Sequence, residues 1–428
     1  MPARIPNAVG ADAVLDMICE GTNVIIPTAN GEPVTVVDAI QRHAASLRRV
    51  RIHQVFCLRE WDYFTEAPAD QLRHVSYFIS APLRPHLAAG SIDLVPTDLS
   101  AMPALMSALP GSILAAAASP PDESGYVSLG VGANYAAPLL SRIPVFLEIN
   151  EQMPRTRGSH RIHLSQVAGW CSADYPLVTV DPTAPTQVDE AIAALVVERI
   201  ADRSTLQIGV GSVPDAIAAR LSGHADLGIH TELFSDGLHS LITSGAATGA
   251  FKRTGRGVAV ATDAVGSQAM LDFLNGTQAV EFWAVGDTNA FATIASEPNF
   301  VAINATMQVD LLGQCASETL GTHYISGSGG QSDFMNAARY SDGGQSFMVT
   351  HATANTPNGP VSRIVSELTP GAVVTTRKNS VDKIVTEFGV AELQGRTIHE
   401  RAAALIAIAH PDHRDALHAD AQRLGYIG

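Results

Sequence analysis

The 428-residue sequence has few of the residues that mark disulfide, metal or membrane proteins. Its four cysteines (Cys19, Cys57, Cys171 and Cys315) lie far apart and form no metal-ligand spacing. We therefore expect them to be reduced, in a cytoplasmic protein without a secretory signal. No apolar run reaches the roughly 18 residues that a membrane helix needs. The sequence predicts neither a disulfide scaffold nor a membrane protein.

Positive charge is also scarce. The formal net charge is -15, which argues against nucleic acid or an anionic membrane surface as partner. Lys252, Lys378 and Lys383 are the only lysines in the chain. An anionic ligand would therefore have to be bound mainly by arginines, backbone N–H groups and helix N-termini.

The sequence indicates neither a serine-hydrolase site nor a zinc site. No Gly-x-Ser-x-Gly segment occurs, so a serine hydrolase of the α/β-hydrolase type is not expected. The pairs His160/His163 and His410/His413 have no cysteine or carboxylate at zinc-like spacing beside them on a clear helix face. The sequence therefore predicts no metal site.

The composition and the order of patterns indicate an α/β protein. Hydrophobic residues make up 46% of the chain and charged residues 16%, which is typical of a well-buried globular protein. The length favours two domains, and strand-like and helix-like stretches alternate throughout. A proline- and threonine-rich linker at 175–187 separates domains predicted at 1–187 and 188–428. We expect two open α/β domains, with the active site in the crevice between them.

Several elements are predicted individually. Apolar runs predict strands at 23–26, 52–56, 113–118, 145–149 and 206–210, and helical periodicity predicts helices at 36–47 and 188–200. A further helix is expected to begin at Pro214, because proline is favourable in a first helical turn and Asp215 beside it complements the helix dipole.

The segment 227–237 (LGIHTELFSDG) places one carboxylate, Glu232, just after a strand-like Leu-Gly-Ile run. Neighbouring glycines let a ligand approach the backbone, and a carboxylate can act as a nucleophile that forms a covalent intermediate. A structural alternative is that Glu232 caps the following helix or pairs with a surface arginine. The segment alone leaves both interpretations open.

Residues 206–214 form a strand, a glycine loop and a helix start, an arrangement that suits an anion. Gly209-x-Gly211, with the acidic Glu232 about twenty positions later, imitates a dinucleotide fingerprint. The third glycine of that fingerprint is replaced by Pro214, so nicotinamide binding is disfavoured.

Residues 327–330 (GSGG) are a second glycine loop. Four small residues leave backbone N–H groups accessible, which suits an oxyanion hole for a tetrahedral adduct of acyl transfer. Gln331 adds a side-chain amide, and a strand at 324–325 leads into the loop. The alternative is a flexible turn between two strands.

The segment around Glu232 resembles the nucleophile motif of the acetyl-CoA hydrolase/transferase family, the class I CoA-transferases that include 4-hydroxybutyrate and butyryl-CoA:acetate CoA-transferases. Further resemblances occur in order along nearly the whole chain, at residues 119–126 (SPPDESGY), 148–156 (EINEQMPRT), 208–211 (IGVG), 303–305 (INA), 327–334 (GSGGQSDF), 362–365 (SRIV), 385–389 (VTEFG) and 409–412 (AHPD). Each motif is weak by itself, and the collinear set is specific.

The resemblance implies an enzyme that transfers CoA from an acyl-CoA to a carboxylic acid by ping-pong chemistry, with Glu232 as nucleophile. It implies an acyl or carboxylate side in the N-terminal domain and CoA-binding loops in the C-terminal domain. The residues implied to contact CoA are Gln207, Ile208, Gly209, Val210, Gly211, Met307, Gly329 and Gly330. CoA would be a substrate and product, with no tightly bound cofactor. Two alternatives are an acyl-CoA hydrolase that uses the same glutamate and a non-catalytic CoA-binding protein.

One departure from the family concerns the phosphates of CoA. Many relatives have a lysine shortly before the Ser-Arg-Ile segment, whereas residues 353–359 (TANTPNG) contain none. Arg363 or another arginine is expected to replace it. The acyl group is left open among short acids such as acetate, butyrate, 4-hydroxybutyrate, succinate and itaconate. A homo-oligomer is expected, with a dimer as the first guess.

Overall fold

The computed structural model describes residues 5–428, which divide into two compact units. Of these residues, the first unit contains 5–181 and Val260–Thr288, and the second contains Pro182–Ala259 and Asn289–Gly428. The chain enters the second unit inside the predicted linker. The prediction of one boundary at residue 187 did not include the return of Val260–Thr288 to the first unit.

The strands, in chain order, are β1 Asn23–Ile25, β2 Val50–Gln54, β3 Leu72–Ser76, β4 Asp93–Leu94, β5 Ser112–Ala118, β6 Tyr126–Ser128, β7 Val145–Asn150, β8 Arg157–Gly158, β9 Arg161–His163, β10 Gly169–Ala173, β11 Thr205–Ile208, β12 Gly228–Ile229, β13 Leu233–Phe234, β14 Ala259–Ala261, β15 Asp263–Ala264, β16 Val280–Phe282, β17 Phe300–Ala305, β18 Gln308–Asp310, β19 Cys315–Ala316, β20 Thr319–Leu320, β21 His323–Tyr324, β22 Gln345–Val349, β23 Thr353–Thr356, β24 Gly359–Ser362, β25 Ile364–Val365, β26 Lys383–Thr386 and β27 Gly389–Glu392.

The α-helices, also in chain order, are α1 Val34–Arg42, α2 Tyr63–Glu66, α3 Arg84–Ala88, α4 Met102–Ser107, α5 Gln187–Val197, α6 Ser212–Arg220, α7 Asp236–Thr243, α8 Gln268–Leu274, α9 Val285–Thr288, α10 Phe291–Ser296, α11 Gln331–Ala338, α12 Ile398–Ile408 and α13 Pro411–Arg423.

The first unit is built on an open, seven-stranded parallel sheet with the order β10-β7-β5-β1-β2-β3-β4. The interior strand β5 is buried at every position, which explains why its sequence, SILAAAA, is a continuous run of small and apolar residues rather than an alternating pattern. The strands predicted at 23–26, 113–118 and 145–149 are confirmed to within a residue as β1, β5 and β7.

The returning segment Val260–Thr288 is joined to the first unit by strand pairing and by packing. β16 pairs in parallel with β8, with Glu281 opposite Arg157. Val285 is fully buried in the same hydrophobic cluster as Leu99 and Met102. Local sequence patterns do not predict this strand pairing or this packing, because both involve residues more than a hundred positions apart in the chain.

The second unit is an open, six-stranded sheet with the order β12-β11-β17-β22-β26-β27. Its first five strands run parallel, and β27 pairs antiparallel with β26. The carboxyl ends of parallel strands meet at one edge of a sheet. The segments that follow β12, β11, β17, β22 and β26 therefore lie along this edge in that order. The two sheets confirm the α/β fold class.

Two predicted helices have shifted ends. The helix predicted at 36–47 ends at Arg42, and a 3-10 turn at Ala44–Ser46 follows it. The helix predicted from Pro214 begins at Ser212, where Gly211 with φ 127° turns the chain out of β11. Pro214 still lies in the first turn, where its missing N–H would have no helical partner in any case.

Within residues 5–428 all four cysteines are free, and three of them are buried. None of the helices formed by this part of the chain has the length and apolar character that a membrane crossing needs.

Candidate active site

Glu232 lies just beyond the carboxyl end of β12, the outermost strand of the second sheet. The backbone N–H of His230 donates to Leu206 O at 2.9 Å, so the pairing with β11 continues up to the turn that carries Glu232. Glu232 is half-buried, and α7 begins four residues later. The glutamate is therefore presented at the sheet edge where ligands of open α/β sheets bind.

Two residues distant in sequence surround the Glu232 carboxylate. The side-chain amide of Asn289 donates to Glu232 Oε2 at 3.3 Å and to Asp333 Oδ2 at 3.2 Å. A Cβ atom added to Gly330 would lie only 1.9 Å from Glu232 Oε2 and 2.3 Å from Asn289 Nδ2. The backbone of Gly330 consequently lies directly against the carboxylate, and only glycine leaves it room.

The second glycine loop, 327–330, leads straight into α11. Gly329 has φ +52°, in the left-handed region that favours glycine, and Gly330 precedes the first helical residue. The amide of Gln331 donates to Ser317 Oγ at 3.0 Å and to Thr376 Oγ1 at 2.8 Å. The amide that sequence analysis assigned to the site thus fixes the loop on its neighbours.

The first glycine loop, 209–211, follows β11 on the strand next to Glu232. The hydroxyl of Thr231 contacts Ile208 O at 3.4 Å, and this contact links the two segments. Gly209 N donates to Ile303 O at 2.9 Å, and a Cβ there would lie 3.3 Å from that oxygen. The side chain of Val210 is 60% exposed. Both predicted loops therefore lie on the same sheet edge as Glu232.

Gln207 and Met307 have different surroundings. Gln207 is buried and exchanges two amide hydrogen bonds with Asn304, at 3.2 and 2.9 Å, so its side chain ties β11 to β17. Met307 is half-buried beyond the end of β17, and its backbone N–H donates to Ala316 O at 3.1 Å. Met307 therefore lies at the edge formed by the carboxyl ends of the strands. Gln207 is buried within β11 and stabilises the position of that edge through its hydrogen bonds with Asn304.

Lys252 supports the strand that leads to Glu232. It is buried, and its Nζ donates to Ile229 O and to Val258 O, both at 2.8 Å. A Cβ at Gly228 would lie 2.6 Å from Lys252 Cγ, so the glycine of the Leu-Gly-Ile run leaves space for the lysine chain. One of only three lysines is therefore committed to carbonyl groups beneath Glu232.

Arg363, the predicted substitute for the missing phosphate lysine, lies near the carboxyl end of β22. Its guanidinium contacts Thr350 Oγ1 at 3.4 Å, and its backbone N–H donates to Ala352 O at 2.9 Å. Burial lowers the pKa of Arg363, and Glu387 nearby opposes that shift. An arginine remains charged at physiological pH in such a setting, so Arg363 offers a half-buried cation at this edge.

Asn289 and Asp333 were not found by sequence analysis. Asn289 lies 57 residues from Glu232, in a segment without glycine loops or recognisable catalytic spacing. Asp333 lies within the 327–334 motif without being assigned a role there. Only the folded arrangement brings these side chains together. Within residues 5–428, no group of His, Cys, Asp and Glu side chains is arranged to hold a metal ion.

Comparisons with known proteins agree with this geometry. The acetyl-CoA hydrolase/transferase N-terminal domain matches residues 8–198, and the acetyl-CoA hydrolase/transferase C-terminal domain matches residues 266–421. The chain is 40% identical to a succinyl-CoA:cyclohexane-1-carboxylate CoA transferase of Geobacter metallireducens, over 99% of this chain and 96% of that protein. It is 36% identical to a 4-hydroxybutyrate coenzyme A transferase of Clostridium kluyveri, over 96% of each.

A solved structure is also similar. The crystal structure of RipA from Yersinia pestis matches with a TM-score of 0.92 and 31% identity, over 98% of both chains. The two family models together with the full-length relatives settle the classification. The chain belongs to the acetyl-CoA hydrolase/transferase family.

Proposed function

We propose that the protein transfers CoA from an acyl-CoA to a carboxylic acid through a thioester on Glu232. The chain is an enzyme of the CoA-transferase type, and the proposal concerns its nucleophile and its intermediate. The observation that carries it is the carboxylate of Glu232 lying against Gly330 at the ligand edge of a parallel sheet. A glutamate that merely caps a helix or pairs with an arginine would not need a glycine at that contact.

The chemistry proceeds by acyl transfer at each step. The Glu232 carboxylate attacks the thioester carbonyl, which forms an acyl-glutamyl anhydride and releases CoA thiolate. The thiolate then attacks the side-chain carbonyl of Glu232, which forms the glutamyl-CoA thioester and releases the donor acid as a carboxylate. An acceptor carboxylate runs the same two steps in reverse. Every bond broken is replaced by one formed, and no oxidant or reductant is consumed.

The neighbours of Glu232 have roles in this scheme. The amide of Asn289 orients the attacking carboxylate through its contact with Oε2. Backbone N–H groups of the 327–330 loop stabilise the oxyanion of the tetrahedral adduct, which is the use of such donors in acyl transfer. The loop at 209–211 and Met307 lie along the same edge, where they contact the CoA arm.

Glu232→Gln tests the nucleophile. Gln keeps the size and hydrogen bonding of the side chain but is a much poorer nucleophile, so transfer should fall by several orders of magnitude while CoA still binds. Glu232→Asp withdraws the attacking oxygen by roughly 1 Å and should lose about a hundredfold or more. Intact mass after incubation with acyl-CoA should show a CoA adduct on the wild type, which peptide mapping places within 227–237.

A matched control is Glu198→Gln, the same substitution at a side chain that is 70% exposed, which should leave transfer and adduct unchanged. Transfer that persists in Glu232→Gln, once slow deamidation back to glutamate is excluded, would show that another group carries the chemistry.

Hydrolysis is the second candidate activity, because the family description includes both hydrolases and transferases. The same anhydride or thioester intercepted by water gives a free acid and CoA. Release of CoA from acyl-CoA alone would indicate hydrolysis, and release that requires an added carboxylic acid would indicate transfer. A protein that binds CoA without either activity would be a non-catalytic member.

The acids used are proposed to be small carboxylates. A panel of acetate, butyrate, 4-hydroxybutyrate, succinate, itaconate and cyclohexane-1-carboxylate against one donor thioester would rank them, the last because one relative is named for it. We also propose a homodimer, which light scattering coupled to gel filtration measures directly.

A further inference from the structure

The phosphates of CoA need cations that this chain supplies sparingly. Residues 353–359 contain no lysine. Lys252 is engaged by two carbonyls, and Lys383 Nζ contacts Asp382 Oδ2 at 2.7 Å. These two lysines are therefore held in contacts within the protein, and other cationic side chains near the edge that carries Glu232 are candidates for the phosphates.

A histidine lies on this edge three strands from the nucleophile. His351 follows β22, whereas Glu232 follows β12, and β11 and β17 lie between those strands. Three inter-strand spacings amount to roughly 14 Å. The pantetheine arm of CoA, which separates the thiol from the phosphates, is an extended chain able to cover such a distance. His351 is thus placed where the phosphate end of a bound CoA would lie.

His351 is held by a buried carboxylate. Its Nε2 donates to Asp189 Oδ1 at 2.7 Å, and the hydroxyl of Ser212 donates to the same oxygen at 3.0 Å. Ser212 comes directly after Gly211, so the pair adjoins the first glycine loop. The side chain of His351 is 33% exposed and that of Asp189 only 1% exposed. The histidine therefore faces outward from a fixed, buried support.

Asp189 is itself fixed in an ionised state. It belongs to a capping box at the start of α5, where its Oδ2 accepts from the backbone N–H of Thr186 at 2.8 Å and from the Thr186 hydroxyl at 2.7 Å. Burial alone would raise the pKa of Asp189, but the hydrogen bonds from Thr186, His351 and Ser212 outweigh it and lower that pKa to about 2. The negative charge of Asp189 therefore lies directly against Nε2 of the ring.

Two further charged groups lie close to His351. Arg363 contacts the hydroxyl of Thr350, the residue before His351. Glu387 accepts from the backbone N–H of Ala352 at 2.9 Å, so its charge is directed at the loop backbone. Arg363 is therefore a second cation beside His351 at this part of the edge.

We propose that His351, positioned by Asp189 and assisted by Arg363, binds a phosphate of CoA. An imidazolium has two N–H donors, so Nε2 can remain on Asp189 while Nδ1 donates to a phosphate oxygen. The inference rests on the proposed function, since it concerns the same substrate, and it assigns the residues for the phosphate end.

The experiment compares three thioester substrates with the wild type and His351→Gln. Gln can still donate to Asp189 but has no positive charge. With acyl-CoA, KM should rise about tenfold, the equivalent of one charge-assisted hydrogen bond, with kcat unchanged. With acyl-pantetheine, which has no phosphate, the variant and the wild type should have equal KM. Acyl-dephospho-CoA separates the two phosphate positions. If His351→Gln and the wild type have equal KM with acyl-dephospho-CoA, the contact of His351 is with the 3′-phosphate. If the KM of the variant is still raised with that substrate, the contact is with the pyrophosphate.

Two controls keep the test decisive. His399→Gln changes an exposed histidine on α12 and should leave every KM unchanged. Arg363→Gln should raise KM for acyl-CoA in the same substrate-selective way as His351→Gln. An unchanged KM for acyl-CoA in His351→Gln, or an equal rise with acyl-pantetheine, would overturn the assignment. The contact between His351 and Asp189 would then have only a structural role.

The wild type alone also tests the proposal, should a variant fail to fold. Equal KM values for acyl-CoA and acyl-pantetheine would mean that no phosphate is bound, and the proposal would be wrong. Formation of the Glu232 adduct at saturating acyl-CoA in His351→Gln separates the two proposals, because the adduct depends on the nucleophile and not on the phosphate contact.

Discussion

At the scale of single residues, Gly330 decides what surrounds the carboxylate of Glu232. Its φ of -96° is one that any residue adopts, so backbone conformation does not require glycine there. Space does, because the carboxylate of Glu232 and the amide of Asn289 occupy the volume of a Cβ. In this loop glycine is needed at 329 for its left-handed backbone conformation and at 330 for the close approach of the Glu232 carboxylate.

Gly330→Ala should therefore abolish most activity without unfolding the protein. The added methyl group must displace the carboxylate of Glu232 or the amide of Asn289, and a misplacement of about 1 Å already costs about a hundredfold in rate. Steady-state transfer and the amount of CoA adduct both report the loss. Gly223→Ala is the matched control, since a Cβ there meets nothing within 4 Å. Normal adduct formation in Gly330→Ala would contradict the contact.

At the scale of elements, one of the motifs shared with the family contains a helix support. Glu148, on the buried strand β7, accepts hydrogen bonds at the start of α1 from the backbone N–H groups of Thr35 and Val36, at 2.8 and 3.1 Å, and from the hydroxyls of Thr35 and Tyr175. A carboxylate at a helix N-terminus satisfies donors that have no partner in the helix. The resemblance at 148–156 therefore includes a residue that serves the architecture of the first unit.

Asp263 joins two loops of the first unit to a strand. It is the first residue of β15 and accepts from the Thr28 hydroxyl at 2.6 Å and from the amide of Asn134. Burial raises the pKa of Asp263 to about 7, although both hydrogen bonds oppose that shift. The loops after β1 and around residue 132 thus share one carboxyl group whose charge changes near neutrality.

The pH dependence of stability should reveal this group. In the unfolded chain Asp263 loses its proton near pH 4, whereas in the folded protein it keeps the proton to about pH 7. Its contribution to the free energy of unfolding is therefore full below about pH 4, falls by at most about 1.4 kcal/mol per pH unit up to about pH 7, and is constant above.

Urea midpoints of the wild type and Asp263→Asn across this range measure that contribution as the difference between the two proteins. Asp181→Asn, an exposed position in the linker, should keep the wild-type slope. A pH-independent difference between wild type and Asp263→Asn would show that the carboxyl group titrates alike in both states.

At the scale of the whole molecule, the two units are interleaved in sequence. The first unit needs Val260–Thr288, which supplies β16, the Asp263 carboxyl group and buried apolar side chains. Those side chains are Met270, Leu274, Phe282 and Val285, each with no exposed surface. A cut at residue 187 would leave their partners in the first unit uncovered.

A fragment of residues 1–187 should accordingly fail to fold cooperatively and should aggregate. A second fragment contains residues 1–181 and 260–288, joined by a flexible linker of about ten Gly and Ser residues. This fragment should be monodisperse and unfold cooperatively. Circular dichroism during thermal unfolding distinguishes them. Equally cooperative unfolding of both fragments would contradict the need for the returning segment.

The sequence by itself determined the features that depend on neighbouring residues. Periodicity and apolar runs report which face of a segment is buried, so β1, β5, β7, the linker and the α/β class could be predicted. The glycines at 209–211 and 327–330 and the carboxylate of Glu232 after a strand could also be recognised, because a glycine turn or a strand end is specified within a few positions.

Only the tertiary structure decided which distant residues meet. The contact of Asn289 with Glu232 spans 57 residues, and that of His351 with Asp189 spans 162. Asn289 follows α9 and Asp189 lies in α5, so both contacts depend on how helices and loops pack on the second sheet, which no pattern of neighbouring residues specifies. The return of Val260–Thr288 to the first unit likewise depends on the pairing of β16 with β8, a choice of partner that local sequence does not encode.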